Sequence, residues 1–530
     1  MVHLRRSRSP LGSVALIALA AIVAACGSNP PPASPGRSGA GSPAPSAGTT
    51  ASQTSEPTPE LTVPAVVPIV PVVDFRSTDT STDKTAVAAI MAGKNAEFTR
   101  LELVGTDADG ILAALGLTKS AAGSHLVVAA SIDALETDLD AGTGILGFIR
   151  ASQVGPSIRA LGWGGKSLFG VARVKTLADW QLNATVESGA TDAAFDPTKI
   201  WTAAAAGDVM LDRGVYLQVK AKGIDYPFNG GTAKITSRYC CSSFGWVMPR
   251  STRTDSTQDV RALMSGADIS MVNLEGPAPA KSSYHATGMS FTFNQSYLVG
   301  LKNEGIDVVS LANNHIGNAG KQGMRDTMSA LDKLGIAHGG LGIDEKSAST
   351  AAMLTVDGVK VAFLGYDAIA PAYAAGPGLT GTAELSAGTA PADIRAARAA
   401  GAQVVIVYPH WGVEYHTNPN SSQINWAHKM IDAGADIVIG NHPHYVQAME
   451  VYKGKPIWYA LGNFVFDQTW SEQTEEGLTL ELSFNGATLV QAWMHPTLDL
   501  NSCQPNFLDP ASGKFVMDQL YTASKKTLPW

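Results

Sequence analysis

The 530-residue chain has little charge and little cysteine, and each shortage excludes a class of protein. Charged residues make up 16% and the net charge is −8, so no basic surface for nucleic acid is predicted. Four cysteines exclude a disulfide-dense scaffold and a zinc-ribbon protein. Beyond the N-terminus no apolar run reaches about 18 residues, so no later segment is predicted to span a bilayer. An apolar fraction of 45% is nevertheless enough to fill a sizeable core.

The first 26 residues have the features of a bacterial lipoprotein signal peptide. A basic start is followed by an apolar run over residues 11–25, which is too short to cross a bilayer comfortably. The run ends in Val-Ala-Ala-Cys-Gly at 23–27, which resembles a lipobox, the signal whose cysteine becomes the lipid-modified N-terminus. We therefore predict that Cys26 is a lipid anchor and that the protein lies on the extracytoplasmic face of the cell membrane. The alternative is an ordinary signal peptide in which Cys26 is incidental.

The next two segments are predicted to be a tether and a small domain. Residues 27–65 are rich in Pro, Ser and Gly, a composition that cannot bury a core and stays extended. Residues 66–192 alternate strand and helix patterns, which predicts an accessory α/β domain. Part of it, at 147–161, loosely resembles solute-binding α/β domains. Because it has no histidine cluster, paired carboxylates or phosphate loop, the sequence does not indicate its role.

Residues 196–500 differ, because polar side chains follow several of their strand-like runs. The runs are 200–206 before Asp208, 267–272 before Glu275, 306–312 before Asn314 and His315, 403–408 before His410, and 437–439 before His442 and His444. Helical patterns separate several of these strands, which predicts a layered α/β fold. In open α/β sheets the ligand binds beyond the carboxyl ends of the strands. We therefore expect these five strand ends to face one crevice.

The side chains at these strand ends are suited to a divalent metal. Carboxylate and amide oxygens together with imidazole nitrogens, and no cysteine, favour Mn, Zn or Fe in a mixed oxygen–nitrogen site. A single histidine at a strand end is usually a structural residue. Several histidines combined with acids at two further strand ends are better explained by a divalent metal site.

The same motifs resemble the bacterial capsule-synthesis CapA proteins, which are associated with poly-γ-glutamate capsules. The matching motifs are Gly-Asp-Val-Met-Leu-Asp-Arg at 207–213, Asn-Leu-Glu at 273–275, Ala-Asn-Asn-His at 312–315, His-Trp-Gly-Val-Glu-Tyr at 410–415, Gly-Asn-His-Pro-His at 440–444, and the whole run 452–467. That family is in turn similar to the calcineurin-like metallophosphoesterases. The resemblance implies a four-layer α/β/β/α sandwich and a metallophosphoesterase-like hydrolase with one or two divalent ions.

The resemblance also implies a role for individual residues. The implied metal ligands are Asp208, Glu275 in the bridging position, Asn314, His410, His442 and His444, and the implied catalytic residues are His315 and Arg213. His315 would donate a proton to the leaving group, and Arg213 would hold an anionic group unless it is a surface or capping residue. Met210 stands where metallophosphoesterases have a histidine ligand, which leaves single-ion occupancy open. Asn318 replaces an aspartate common in CapA proteins, which removes a carboxylate that would orient His315.

Three classes of function remain open. The first is a metal-dependent hydrolase that acts on an anionic cell-envelope polymer or on its phosphorylated precursor. The second is a non-catalytic component that holds or exports such a polymer together with capsule-synthesis protein partners. The third is a solute-binding lipoprotein that works through the accessory domain. The ligands at the strand ends favour the first two classes.

Three smaller expectations concern aromatic residues and the C-terminus. Trp411, Tyr415 and Trp458 are interpreted as core and pocket wall rather than as a platform on which a substrate stacks. Residues 501–530 are predicted to be a C-terminal tail. A disulfide between Cys503 and one of the neighbouring cysteines at 240 and 241 would tie that tail to the domain.

Overall fold

The computed structural model describes residues 62–142, 144–189, 192–230, 259–386 and 388–524. The predicted signal peptide with Cys26, the tether up to residue 61, and the cysteines at 240 and 241 lie outside the described residues. The lipid anchor and the disulfide therefore stay predictions. In the part of the chain that the structure describes, no helix is long and apolar enough to cross a membrane.

The N-terminal region is a sheet organised around its long first strand. Its elements are β1 (Thr62–Asp74), β2 (Ser81–Thr82), α1 (Lys84–Met91), β3 (Arg100–Val104), α2 (Ala108–Leu115), α3 (Lys119–Ala122), β4 (Leu126–Ala129), α4 (Ile132–Ala141), β5 (Ile145–Arg150), β6 (Ile158–Ala160), β7 (Gly162–Trp163) and β8 (Asn183–Gly189). The strand order is β4-β3-β5-β1-β6, and β8 pairs with the first half of β1. β1 begins at Thr62, which pairs with Gly189 of β8, so the sheet includes the last residues of the segment predicted as tether.

The following region contains two sheets. The first consists of β9 (Ile200–Val209), β10 (Ile269–Leu274), β11 (Val308–Ser310), β12 (Ala337–Gly339), β21 (Asn463–Val465), β22 (Glu476–Asn485), β23 (Thr488–Leu500) and β24 (Gln504–Phe507). The second consists of β14 (Ala352–Val356), β15 (Val359–Asp367), β17 (Val404–His410), β18 (Ile437–Ile439), β19 (Met449–Tyr452) and β20 (Lys455–Trp458). β13 (Leu341–Gly342) and β16 (Gly381–Thr382) form a separate short pair. In each sheet the strands that precede the predicted ligands run parallel.

Most helices of this region cover the outer faces of the two sheets. The helices are α5 (Arg213–Lys222), α6 (Asp259–Gly266), α7 (Leu298–Glu304), α8 (Gly320–Leu334), α9 (Glu345–Ala348), α10 (Thr389–Ala399), α11 (Ser421–Asp432), α12 (Glu472–Glu475) and α13 (Pro510–Ser524). One buried cluster joins the first sheet to α5 through α8, and another joins the second sheet to α9, α10 and α11. A third cluster lies between the two sheets.

The alternation of side chains along β9 shows how one strand serves two layers. Trp201 and Ala203 face the second sheet and share the inter-sheet cluster with Phe363, while Ala204 and Ala206 face the helices. This is the period of two that a strand buried on both faces requires. The layer order is helix, sheet, sheet, helix, which confirms the predicted four-layer α/β/β/α fold.

The residues after 500 are part of this fold rather than a separate tail. β24 pairs with β23, and Val516, Met517 and Leu520 of α13 are buried in the core between the sheets. These side chains recur at the spacing that places them on one helix face. Their apolar periodicity therefore explains why the segment docks on the core, although it carries no motif.

Candidate metal centre

The carboxyl ends of the two sheets meet at one buried point. Asp208 is the penultimate residue of β9, Glu275 follows β10 directly, and His410 is the last residue of β17. One ligand atom from each of these residues lies within 4.8 Å of the other two. All three side chains are buried. The structure therefore brings together residues that are far apart in sequence, because parallel strands deliver their ends to the same edge.

Hydrogen bonds from asparagines arrange these groups. Asn273 Nδ2 donates to Asp208 Oδ1 at 2.7 Å and lies 3.4 Å from His410 Nδ1. Asn313 Nδ2 lies 3.3 Å from the oxygen of Asn273, which fixes the orientation of that amide. On the other side, His410 Nε2 lies 2.9 Å from Asn314 Oδ1. These two predicted ligand atoms, Asn314 Oδ1 after a strand of the first sheet and His410 Nε2 at the end of a strand of the second, thus face each other.

The turn after β18 carries His442 and His444 in an uncommon backbone conformation. Their φ angles are +97° and +56°, which is the left-handed region that non-glycine residues rarely adopt. His444 Nδ1 lies 2.9 Å from Asn463 Oδ1, and Asn463 Nδ2 donates to the carbonyl of Thr474 at 2.8 Å. The amide oxygen therefore accepts from Nδ1, and His444 Nε2 is left 3.8 Å from Glu275 Oε1 with its lone pair available.

His442 is held at the same point by its backbone. Its N–H donates to Asp208 Oδ2 at 3.3 Å, and its ring centroid lies 4.8 Å from that of His410. Its Nδ1 is buried and has no hydrogen-bond partner among the described residues. A buried ring nitrogen without a partner is an available donor atom for a metal.

His315 is arranged differently from the other histidines. Its Nδ1 lies 3.2 Å from Asn318 Oδ1, which also accepts from the N–H of Phe291 at 2.8 Å, and its Nε2 lies 3.8 Å from Glu275 Oε1. The ring packs on Phe291 with centroids 4.2 Å apart. Asn318 therefore still supplies an acceptor that orients His315, but as a neutral amide in place of a carboxylate.

Burial sets the protonation state of the cluster. It lowers the pKa of His442 to about 4 and that of His444 to about 3, so both rings are neutral at pH 7, the form that binds metal. Burial raises the pKa of Asp208 to about 7. It also raises the pKa of Glu275 well above the usual value, with the Asp208 charge adding to the effect. The two carboxylates repel each other in a site with little water.

Arg213 lies beside the cluster, and its guanidinium already has a partner. One terminal nitrogen is 2.5 Å from Asp467 Oδ1, and the other donates to the carbonyl of Gly288 at 3.2 Å. The guanidinium also stacks over Phe291 at 4.7 Å. Its positive charge lowers the pKa of Glu275, which places it near the carboxylates. The predicted role in holding an anion therefore competes with the ion pair to Asp467.

A divalent cation fits the residues that are present. Glu275 is fully buried, and its oxygens meet no hydrogen-bond donor among the described residues other than the carboxyl group of Asp208, with which they can share a proton. Leaving a buried carboxylate unpaired is costly, and a cation bound at that position would offset the cost. The neutral histidines and the amide of Asn314 supply the remaining donor types.

The sequence reasoning missed three residues that support the cluster. Asn273 was visible as a polar residue within an otherwise apolar strand, and Asn463 follows a glycine after a strand, as Asn441 does. Asp467, the partner of Arg213, had no local signal, because its role depends on contact with a residue 254 positions away.

The four-layer sandwich and the carboxylate, amide and histidine cluster at its strand ends define an α/β protein with a candidate metal centre. Residues 202–468 match the family described as bacterial capsule synthesis protein PGA_cap, and the chain belongs to this family. The predicted resemblance is thereby confirmed.

The chain is also similar to two named relatives and to solved structures. The chain is 30% identical over 293 residues to the capsule biosynthesis protein CapA of Bacillus anthracis, a match that covers 54% of this chain and 64% of that relative. It thus spans just under two thirds of that protein. It is 31% identical over 289 residues to the PGA biosynthesis protein CapA of Bacillus subtilis, covering 53% and 67%. Among solved structures, the calcineurin-like phosphoesterase YfkN of Bacillus subtilis is similar with a TM-score of 0.31 and 12% identity, covering 61% of this chain and 97% of that one.

Proposed function

We propose that the chain is an extracytoplasmic, lipid-anchored, metal-dependent hydrolase of the phosphoesterase type that acts in the synthesis of capsule or a poly-γ-glutamate-type envelope polymer. Its substrate would be the anionic polymer or a phosphorylated precursor, and capsule-synthesis proteins would be its partners. The observation that carries the proposal is the convergence of Asp208, Glu275 and His410, whose ligand atoms lie within 4.8 Å of one another in a buried site beside the neutral rings of His442 and His444.

The chain's own residues suggest how the reaction would proceed. Asp208, Glu275, Asn314, His410, His442 and His444 would hold the ion or ions, whether Mn, Zn or Fe. A bound divalent ion supplies an activated water and neutralises charge on the group under attack. Asn318 fixes Nδ1 of His315, so the proton that His315 exchanges is carried at Nε2, which faces Glu275. Burial lowers the pKa of His315 to about 4, and an anion bound beside it favours the protonated form that donates.

The non-catalytic alternative rests on two contacts. Met210 is fully buried and its sulfur accepts the N–H of Asp212 at 3.0 Å, so this position offers no nitrogen ligand. Arg213 is paired with Asp467. A protein that holds an anionic polymer without cleaving it would tolerate both features.

The test separates the ligands from the proton donor. His442→Ala and His444→Ala should lower both bound metal, measured by elemental analysis, and the hydrolysis of bis(p-nitrophenyl) phosphate. His315→Ala should retain most of the metal and lose about 10²–10⁴-fold in turnover, because its proposed role is proton donation. Esters with more acidic leaving groups need less protonation and should partly restore that variant. His338→Ala, in the edge strand β12, is the matched control and should change neither quantity.

Two outcomes would contradict the assignment. If His315→Ala loses as much metal as His444→Ala, His315 is a ligand or a structural residue. If the metal-loaded wild-type protein and all three variants show the same background hydrolysis, the non-catalytic alternative replaces the hydrolase.

The location is tested at the lipobox cysteine. Cys26→Ala should prevent lipid attachment, so the protein should be released from the membrane fraction or remain as an unprocessed precursor of higher mass. Mass spectrometry and fractionation of the cells measure both. Unchanged mass and unchanged membrane association in the variant would contradict a lipid anchor.

A further inference from the structure

Three aromatic side chains form a partly exposed surface beside the metal centre. This aromatic rim consists of Tyr415, Tyr445 and Trp470. The ring of Tyr415 lies 6.1 Å from that of His444 at 27°, and it meets Tyr445 at 5.7 Å and Trp470 at 6.1 Å edge to face. Tyr415 is 37% exposed and Trp470 is 40% exposed. Trp411 and Trp458, by contrast, are fully buried, so of the three aromatic residues that the sequence assigned to core and wall, only Tyr415 reaches solvent.

The backbone holds Tyr415 in place at the cost of strain. Eight non-glycine residues of the described chain have positive φ angles, namely Arg213, Asp357, Tyr415, His442, His444, Lys453, Asn501 and Ser502. Four of these lie in turns between antiparallel strands. The other four, Tyr415 among them, border the metal centre. The N–H of Tyr415 donates to the carbonyl of Pro443 at 2.8 Å, between the two histidines. Strained backbone maintained by its surroundings is typical of functional sites.

The charges at the rim argue against a chain of carboxylates as its occupant. Burial raises the pKa of the Tyr415 hydroxyl, and the charge of Glu414 and its hydrogen bond to that hydroxyl add to the shift; the Glu414 charge also adds to the effect of burial on the pKa of Glu275. The cation whose charge reaches Tyr415 is Arg213, and that guanidinium is bound to Asp467. A run of carboxylates passing the rim would be repelled by Glu414. A neutral ring carrying hydroxyl groups would instead stack on the aromatic faces and donate hydrogen bonds to that carboxylate.

We infer that the aromatic rim binds the sugar ring of a phosphorylated glycan while its phosphate lies at the metal centre. This inference rests on the proposed function and narrows it, because it selects a sugar phosphoester over a polyglutamate chain. The rim lies close enough to the metal centre for one ligand to reach both, because the ring of Tyr415 contacts that of His444, whose Nε2 faces Glu275. Tyr415 and Trp470 are positioning residues in this arrangement, and they take no part in proton transfer.

Equilibrium binding tests the inference without requiring turnover. The full chain loaded with Mn²⁺ is titrated by calorimetry with inorganic phosphate, α-D-glucose 1-phosphate and thymidine 5′-phosphate. We expect glucose 1-phosphate to bind about tenfold more tightly than phosphate, which is the gain that ring stacking provides. Trp470→Ala should abolish that gain while leaving the affinity for phosphate and the metal content unchanged. Tyr415→Asn, which keeps a residue tolerant of positive φ, should act in the same way.

The remaining outcomes distinguish this inference from the proposed function. Phe515→Ala removes another exposed aromatic ring, 49% exposed on α13, and should change no affinity. If phosphate and glucose 1-phosphate bind equally, or Trp470→Ala has no effect, the rim is not a sugar site although the metal centre stands. If thymidine 5′-phosphate, which carries a base in addition to its deoxyribose, gains clearly more than glucose 1-phosphate and loses that gain in Trp470→Ala, the rim binds a base and the sugar assignment is wrong. If phosphate fails to bind the metal-loaded protein, the proposed function fails and the inference with it.

Discussion

Two clusters of buried charge in this chain are built in opposite ways. In the N-terminal sheet, Arg150 binds both oxygens of Asp107 at 2.6 and 2.7 Å, and another of its nitrogens lies 2.8 Å from Asp192. At the strand ends of the sandwich, Glu275 is as buried as Asp107, but its neighbour is a second carboxyl group, that of Asp208, and no arginine or lysine binds it in the described part of the chain. A carboxylate paired with an arginine belongs to the scaffold, whereas two adjoining carboxylates beside neutral histidines are suited to bind a cation.

Removing one carboxylate from each cluster should have opposite consequences, and this is the largest expected effect. Asp107→Ala leaves the Arg150 guanidinium buried without its main partner, so the free energy of unfolding should fall by about 3–5 kcal/mol. Glu275→Gln removes a charge that burial already disfavours, so the metal-free protein should unfold at an equal or higher denaturant concentration. Metal affinity should fall in Glu275→Gln by more than the 10–100-fold that loss of an outer partner costs, and stay unchanged in Asp107→Ala.

Denaturant titration of the metal-free variants and elemental analysis of the loaded ones measure the two quantities separately. The comparison fails if Glu275→Gln destabilises the metal-free fold as much as Asp107→Ala does. In that case Glu275 has a structural partner and the cluster is part of the scaffold.

The same contrast explains how much of the molecule the sequence could predict. The alternation of strands and helices and the motifs at the strand ends were sufficient for the layered fold and for Asp208, Glu275 and His410 at one point. These features are local, since each ligand follows its own strand. The pairing of Arg213 with Asp467 was not predictable, because it depends on how a helix start and a distant loop pack.

Burial was the second limit on prediction. The exposure of Tyr415 and the burial of Trp411 could not be separated from the sequence, because both follow the same strand within a few residues. Trp411 packs in the buried cluster of the second sheet, whereas Tyr415 follows the turn at Gly412, has a left-handed backbone and reaches solvent. The neutral state of the histidines likewise follows from burial, which no motif specifies.

An effect of intermediate size is expected in the protons that metal binding releases, and this effect also separates the two clusters. The pKa of Asp208 is raised to about 7, so below that pH the metal-free site carries a proton that a cation must displace. The Arg150 cluster adds nothing here, because the pKa of its guanidinium is raised further above the neutral range. Between about pH 5 and 7, each unit of acidification should therefore weaken apparent metal affinity by up to about tenfold more than it does above pH 8, where Asp208 is ionised and the proton of Glu275, whose pKa is raised well above its usual value, is the one left to displace.

Calorimetry of metal binding in buffers with different ionisation enthalpies counts the protons directly. We expect about one proton more to be released at pH 6 than at pH 8.5, because Asp208 ionises between these two values. Equal affinity and equal proton release at both values would show that Asp208 is already ionised at pH 6, and the two clusters would then differ less than their burial suggests.

The smallest expected effect is that of Asn318→Asp, which would give His315 a carboxylate partner, as Arg150 has in Asp107. Asn318→Asp keeps an oxygen next to His315 Nδ1, where the amide oxygen lies at 3.2 Å, and it can keep the bond from the Phe291 N–H. The added negative charge stabilises the protonated ring, so the pKa of His315 should rise from its present value of about 4 by about one unit or more. Since a proton donor works only while protonated, the pH above which kcat/KM declines should move upward by the same amount for esters with poor leaving groups.

NMR titration of the His315 ring reports the pKa independently of activity, and Asn318→Ala, which removes the acceptor without adding charge, is the control that should not raise it. A raised pKa with an unmoved pH profile would mean that His315 is not the proton donor, whereas movement of both together would assign the role to its Nε2.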